Sequence, residues 1–109
     1  MTELITDIVS TDEFDQIISS ERRPIVVDFK ASWCTPCKIL SGVLYEFKKD
    51  LGERVKVLTV DVDVNGELAD RLKIKSVPTV MVYYGGEIKQ KIVGLTTKAQ
   101  LSDMVVKYV

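Results

Sequence analysis

A chain of 109 residues, 46% apolar and 28% charged, has the size and composition of one ordinary globular domain, and this excludes a disordered tail. Fifteen Lys and Arg stand against sixteen Asp and Glu, a net charge of −1 with the signs interspersed, so no field favours nucleic acid or a membrane surface. No apolar run approaches the ~20 residues needed to span a bilayer. The leading Met1-Thr2-Glu3-Leu4-Ile5-Thr6-Asp7 carries acids where an export signal needs cations, so a cytoplasmic protein is expected, with residues 1–109 forming a single domain.

Taken in chain order, Leu4, Ile5, Ile8 and Val9 suggest a first strand. Ser10-Thr11-Asp12-Glu13 reads as a capping box, with Val9 placed to pack on Phe14 as a hydrophobic staple. Phe14, Ile17 and Ile18 give the helix that follows one apolar face, and Arg22-Arg23-Pro24 ends it. Ile25 to Phe29 is β-branched and aromatic, as a doubly buried central strand should be. Beyond Thr35 the spacing of Ile39, Leu40, Val43, Leu44 and Phe47 is helical, with Gly52 near the end. Val55, Val57, Leu58, Val60 and Val62 form another strand, and Asn65 is placed to cap a short helix through Leu68, Ala69 and Leu72. Val77 through Tyr84 and Ile88 through Val93 are strands joined by Gly85-Gly86, a two-residue hairpin signal. Thr97-Lys98-Ala99-Gln100 is a second capping box, leading a helix with Leu101, Met104, Val105 and Tyr108 on one face. The predicted class is α/β: βαβαβ, then ββα, giving a central mixed sheet with helices on both faces. Lys48-Lys49 reads as a solvated helix end, and Tyr83-Tyr84 as half core and half strand face.

Between the central strand and the helix after it lies Trp33-Cys34-Thr35-Pro36-Cys37-Lys38, which holds both cysteines of the chain. Two thiols at this spacing can close a small ring, so one can attack a foreign disulfide and the other can then displace the product. With Cys34 at the N-cap or first residue of the helix, its sulfur faces unpaired backbone N–H groups and the positive end of the helix dipole. Both favour the reactive thiolate and a lowered pKa. Pro36 suits a first turn, where a missing N–H does no harm. Cys37, one turn further in, is expected to be the resolving thiol, and Trp33 and Pro36 to form an apolar rim for an extended substrate segment. The same spacing also occurs in zinc sites. The chain has no further cysteine and no histidine, so no metal is expected short of a zinc ion shared by two chains. A structural disulfide would close only a tiny loop in a compartment where such bonds are rare.

Asp28 is a carboxyl inside an apolar strand. Strand pattern alone favours placing it at an exposed strand end. The alternative puts it beneath the motif, where burial raises its pKa and lets it take the proton of Cys37 as that thiol attacks the mixed disulfide.

These residues resemble the thioredoxin family over nearly the whole length. The cysteine run is similar to the family's Trp-Cys-Gly-Pro-Cys-Lys, Val27-Asp28-Phe29 to its buried-aspartate strand, Val77-Pro78-Thr79 to its cis-proline turn, and Gly94 to its glycine beside the active site. The resemblance implies the thioredoxin fold and a cis bond before Pro78. It also implies that Val77 pairs its backbone with a substrate chain and that Gly94 allows a partner's backbone close approach. Three departures stand out. Thr35 replaces the family's glycine, which leaves the reduction potential open, and its β-branch narrows the local conformations. Thr59 stands where many members carry a lysine near the aspartate, so charge assistance from that place is absent, and Lys30 stands where an aromatic residue is frequent.

The expectation is a monomeric protein-disulfide reductase acting as an electron carrier through a redox-active dithiol that needs no bound cofactor. Its partners would be disulfide-containing proteins and, by resemblance, an NADPH-dependent thioredoxin reductase. A disulfide oxidase or isomerase of the same fold, or a non-redox binding module using Trp33, Pro36 and Pro78, are the alternatives.

Overall fold

A computed structural model describes residues 4–109; the opening Met1-Thr2-Glu3 of the export-signal reading lies outside them. Five strands, β1 (Thr6–Asp7), β2 (Ile25–Lys30), β3 (Lys56–Asp61), β4 (Thr79–Tyr84) and β5 (Glu87–Val93), alternate with helices α1 (Thr11–Ser20), α2 (Thr35–Leu51) and α3 (Gly66–Arg71), and α4 (Lys98–Val105) follows β5. The sheet order is β1-β3-β2-β4-β5. β3 runs parallel to β1 and β2, while β4 is antiparallel to β2 and to β5. The mixed sheet expected from the sequence is thus present, with β2 at its centre.

Alternation along β2 divides the core between the two faces of the sheet. Val27 and Phe29 pack with Phe14, Leu58, Leu68 and Tyr83 on the α1 and α3 side. Val26 packs with Leu40, Leu44 and Phe47 of α2 and with Leu101 and Val105 of α4 on the other. Because every residue of Ile25–Phe29 is buried, the strand carries no polar alternation, as a strand covered on both faces requires. Gly85 and Gly86 turn the β4–β5 hairpin with φ of 62° and 81°, the pair of positive values that a two-residue turn of this hand needs. Tyr83 is buried, whereas Tyr84 is exposed and its ring lies 4.8 Å from that of Tyr108.

Several local expectations need correction. Val9 is 72% exposed and makes no staple; Ile8, one residue earlier, is buried with Phe14. The first capping box is displaced: Ser10 Oγ accepts from the Glu13 N–H, but the Glu13 carboxylate accepts from the Val9 N–H at 2.9 Å rather than from that of Ser10. Asn65 sits at the N-cap of α3 without capping it. Its side-chain amide donates instead to the Ile8 and Asp61 carbonyls, tying the end of β1 to the start of α3. Lys48 is buried rather than solvated, its ammonium donating to the carbonyls of Gly52 and Val55, where the chain leaves α2. Ile39, one of the residues at helical spacing in α2, is 54% exposed, while Leu40, Leu44 and Phe47 are buried. The capping box at Thr97 and Gln100 is formed in full.

Candidate active site

The fold brings the cysteines to the junction of β2 and α2. Cys34 is the N-cap of α2, in extended backbone, and its Sγ accepts from the Cys37 N–H at 3.2 Å. Cys34 and Cys37 are joined as a disulfide, with Cα atoms 5.2 Å apart. Both are nearly buried, at 4% and 3% exposure. Thr35 and Pro36, in the first turn between them, are exposed. An N-cap sulfur already receiving an N–H bond from the first turn is held where the helix N-terminus favours negative charge. When the bond opens, Cys34 is therefore the sulfur better able to carry that charge.

Around this pair the structure gathers most of the residues singled out in the sequence. Val77 and Val62 pack against the cluster of Ala31, Cys34 and Cys37. The Val77–Pro78 bond is cis, and Pro78 accepts the Gly94 N–H at 2.8 Å, which joins those two loops. Gly94 has a φ of +97°, with open space where a Cβ would stand, so the backbone conformation requires glycine and leaves its surface open. Trp33 is 69% exposed and shares a small pocket with Val77. Its indole N–H donates to Asp63 Oδ2 at 2.9 Å. That anchor was missed because Asp63 is brought to Trp33 by the β3–α3 turn, far along the chain.

Asp28 takes the buried alternative: it is 0% exposed, and neither carboxyl oxygen has a hydrogen-bond partner among the described residues. It stands two residues from Val26 and so shares the α2 side of the sheet with it, paired laterally with Thr59 on β3 and Val80 on β4. Val26 lies under Leu40, Leu44 and Phe47 of α2 and Lys30 borders the same pocket as Cys37, and Asp28 stands between Val26 and Lys30 on that face of β2. Burial pushes the Asp28 carboxyl from 3.8 up to about 7, against a smaller opposing pull from the Lys30 ammonium. A carboxyl of this kind can both hold and accept a proton near neutrality.

Among the described residues no group of three or more His, Cys, Asp or Glu is placed to hold a metal ion, and no helix is long and apolar enough to cross a membrane. The chemistry that this geometry supports is reversible transfer of two electrons between the cysteine pair and another disulfide.

Comparison with known proteins agrees. A thioredoxin family model matches residues 5–107. Thioredoxin of Rickettsia bellii (strain RML369-C) is 38% identical over 97 residues, 89% of this chain and 92% of that protein. Thioredoxin of Bacillus subtilis (strain 168) is 38% identical over 96 residues, covering 86% of this chain and 92% of its own length. Among solved structures, Plasmodium falciparum thioredoxin superposes with a TM-score of 0.85 at 33% identity, over 95% of this chain and 99% of that one. A match that takes in nearly every element described above, cysteine pair included, makes the chain a member of the thioredoxin family.

Proposed function

We propose that Cys34 is the attacking thiol, Cys37 the resolving thiol and Asp28 the proton acceptor of a protein-disulfide reductase. The family activity is thiol–disulfide exchange through the cysteine pair, and the role of each residue follows from its surroundings. The Cys34 thiolate attacks one sulfur of a substrate disulfide; a mixed disulfide forms, and the second substrate sulfur leaves as thiolate. Cys37 then gives its proton to the Asp28 carboxylate and attacks the Cys34 sulfur. The intramolecular bond closes, and the first substrate sulfur leaves. Two electrons have passed to the substrate, and the protein is oxidised.

The observation that carries this reading is the asymmetry of the pair: Cys34 Sγ accepts the N–H bond at the helix start, and Cys37 lies one turn further in. Trp33, Thr35 and Pro36 form the outer rim, and Val77, Pro78 and Gly94 a facing wall along which an extended substrate segment lies. An NADPH-dependent thioredoxin reductase returns the electrons. The chain works as a single thioredoxin domain and a monomer in the cytoplasm, where structural disulfides are rare and a cycling one is at home.

The test is turnover of a model protein disulfide in the presence of a dithiol by the wild type, Cys34→Ser and Cys37→Ser. Both variants should be inactive, and Cys37→Ser should accumulate a mixed disulfide through Cys34. Trapping through Cys37 in the Cys34→Ser protein instead would reverse the two roles.

A further inference from the structure

The residue at position 59, beside the buried carboxyl, is uncharged, yet Asp28 does not lack a cation. Lys30 stands two residues further along β2 and therefore on the same face as Asp28. Its ammonium lies 3.6 Å from Asp7 Oδ1 on β1. With β3 between β2 and β1 in the sheet, the Lys30 side chain crosses β3 to make that contact. Thr59, the β3 residue paired with both Asp28 and Asp7, donates its hydroxyl to the same Asp7 oxygen at 2.6 Å. Thr59 thus anchors the carboxylate that holds the lysine.

We propose that Lys30, tethered across β3 by Asp7 and Thr59, is the positioning cation of the site and sets the field in which the Asp28 carboxyl takes up and returns its proton. The inference rests on Asp28 serving as the acceptor for Cys37. The other groups on this face are consistent with it. β4 contributes the apolar Val80 and α4 contributes Leu101 and Val105. β3 contributes Asp61 one row beyond Thr59, and its Oδ1 is occupied by the N–H groups of Asp63 and Val64. α2 contributes Cys37 and the exposed Lys38. A pocket of about 280 Å³ brings Lys30, Ser32, Cys37, Lys38, Ser41 and Asp61 together, so the resolving cysteine and Lys30 border one solvent-reachable space. A cation there opposes the desolvation that holds Asp28 protonated, and Lys30 is the charged group that acts on it in that sense. Asp7 holds the ammonium over this face, and without it the lysine is free to swing into solvent. Removing Lys30 and removing its tether should therefore move Asp28 in the same direction, the tether by less.

The experiment follows the Asp28 carboxyl by carbon-13 NMR against pH in the oxidised protein, where the closed Cys34–Cys37 bond leaves no thiol to titrate, with Asp28→Asn assigning the signal. The wild-type midpoint is expected at about 7. Lys30→Met should raise it by about one pH unit, a tenfold gain in proton affinity, as expected for loss of one partly screened charge. Lys30→Arg should restore it, and Asp7→Asn, a change on the exposed edge of the sheet that releases the lysine, should raise it by less than Lys30→Met. Coincident titrations of the wild type and Lys30→Met would overturn the proposal, as would an unmoved midpoint in Asp7→Asn should Lys30→Met not fold. Resolution of the transient mixed disulfide in proteins that keep Cys37, timed across the same pH range after the reduced protein meets a substrate disulfide, tests the underlying reading separately. If Asp28→Asn resolves as fast as the wild type, Asp28 is not the acceptor, whatever the NMR midpoints show.

Discussion

Replacing Asp28 by Asn should make the oxidised protein progressively more stable than the wild type as pH rises from about 4 to about 7. The folded carboxyl is raised from 3.8 to about 7 by burial, so between those values the folded state binds a proton that the unfolded chain has released. Stability then falls with pH, by about 1.4 kcal/mol per unit across the window. A rise of about three units gives about 4 kcal/mol, fully present below the unfolded value and lost once pH passes the folded one. Asparagine has the shape of the protonated acid and does not titrate. Its own burial adds a constant offset and leaves this slope out. The assay is chemical denaturation of both oxidised proteins at a series of pH values, where other acids contribute equally and cancel in the difference. A difference that grows by several kcal/mol between pH 4 and 8 is the expected result. Parallel curves would refute the reasoning, since an unperturbed Asp28 contributes no slope above pH 5.

Thr97→Ala removes the hydroxyl that accepts the Gln100 N–H at 3.1 Å and leaves the reciprocal bond from the Thr97 N–H to Gln100; a loss of about 1 kcal/mol in a denaturation midpoint is expected. Gly94→Ala meets open space but a φ of +97°, so the loss should be the backbone cost of about 1–2 kcal/mol for a side chain in a left-handed conformation. A transition unchanged from wild type would show that the loop relaxes to a negative φ.

The element order was legible because the hydrophobic period switches from strand to helix at the cysteine run, where the chain leaves β2 and enters α2. The capping pair Thr97 and Gln100 was equally plain, since both partners lie within one turn. What could not be read were features decided by neighbours remote in sequence. Asp28 looked like an exposed strand end because Ile25–Phe29 says nothing of what covers its far end; the crossover that puts β2 at the centre of the sheet and lays α2 over it buries the carboxyl. Lys48 looked solvated because two lysines near a helix end usually are, yet the carbonyls of Gly52 and Val55 come back to meet one of them. The staple failed by one residue: at the edge of a two-residue strand, Ile8 faces inward and Val9 outward. Lys30 registered only as a departure from the family pattern, because its link to Asp28 runs through Asp7 and Thr59 on two other strands.

Each turnover along the proposed path asks two electrostatic tasks of this small site. A negative charge must rest on Cys34 before attack, and a proton must leave Cys37 before resolution. The first is met by the start of α2, where Cys34 receives the Cys37 N–H, and the second by a carboxyl in the sheet below. Because these supports belong to different elements, substitutions reach them separately. A change at Thr35, exposed in the first turn of α2, should act on the relative stability of thiolate and disulfide and hence on the potential. Lys30, on β2, acts on the proton affinity of Asp28 and hence on the pH at which the mixed disulfide resolves. Along the proposed path, substitutions at these two positions should therefore change how strongly the protein reduces and how fast it lets go independently of one another. Thr35→Gly should accordingly shift the equilibrium with a reference dithiol while leaving the pH midpoint of resolution in place.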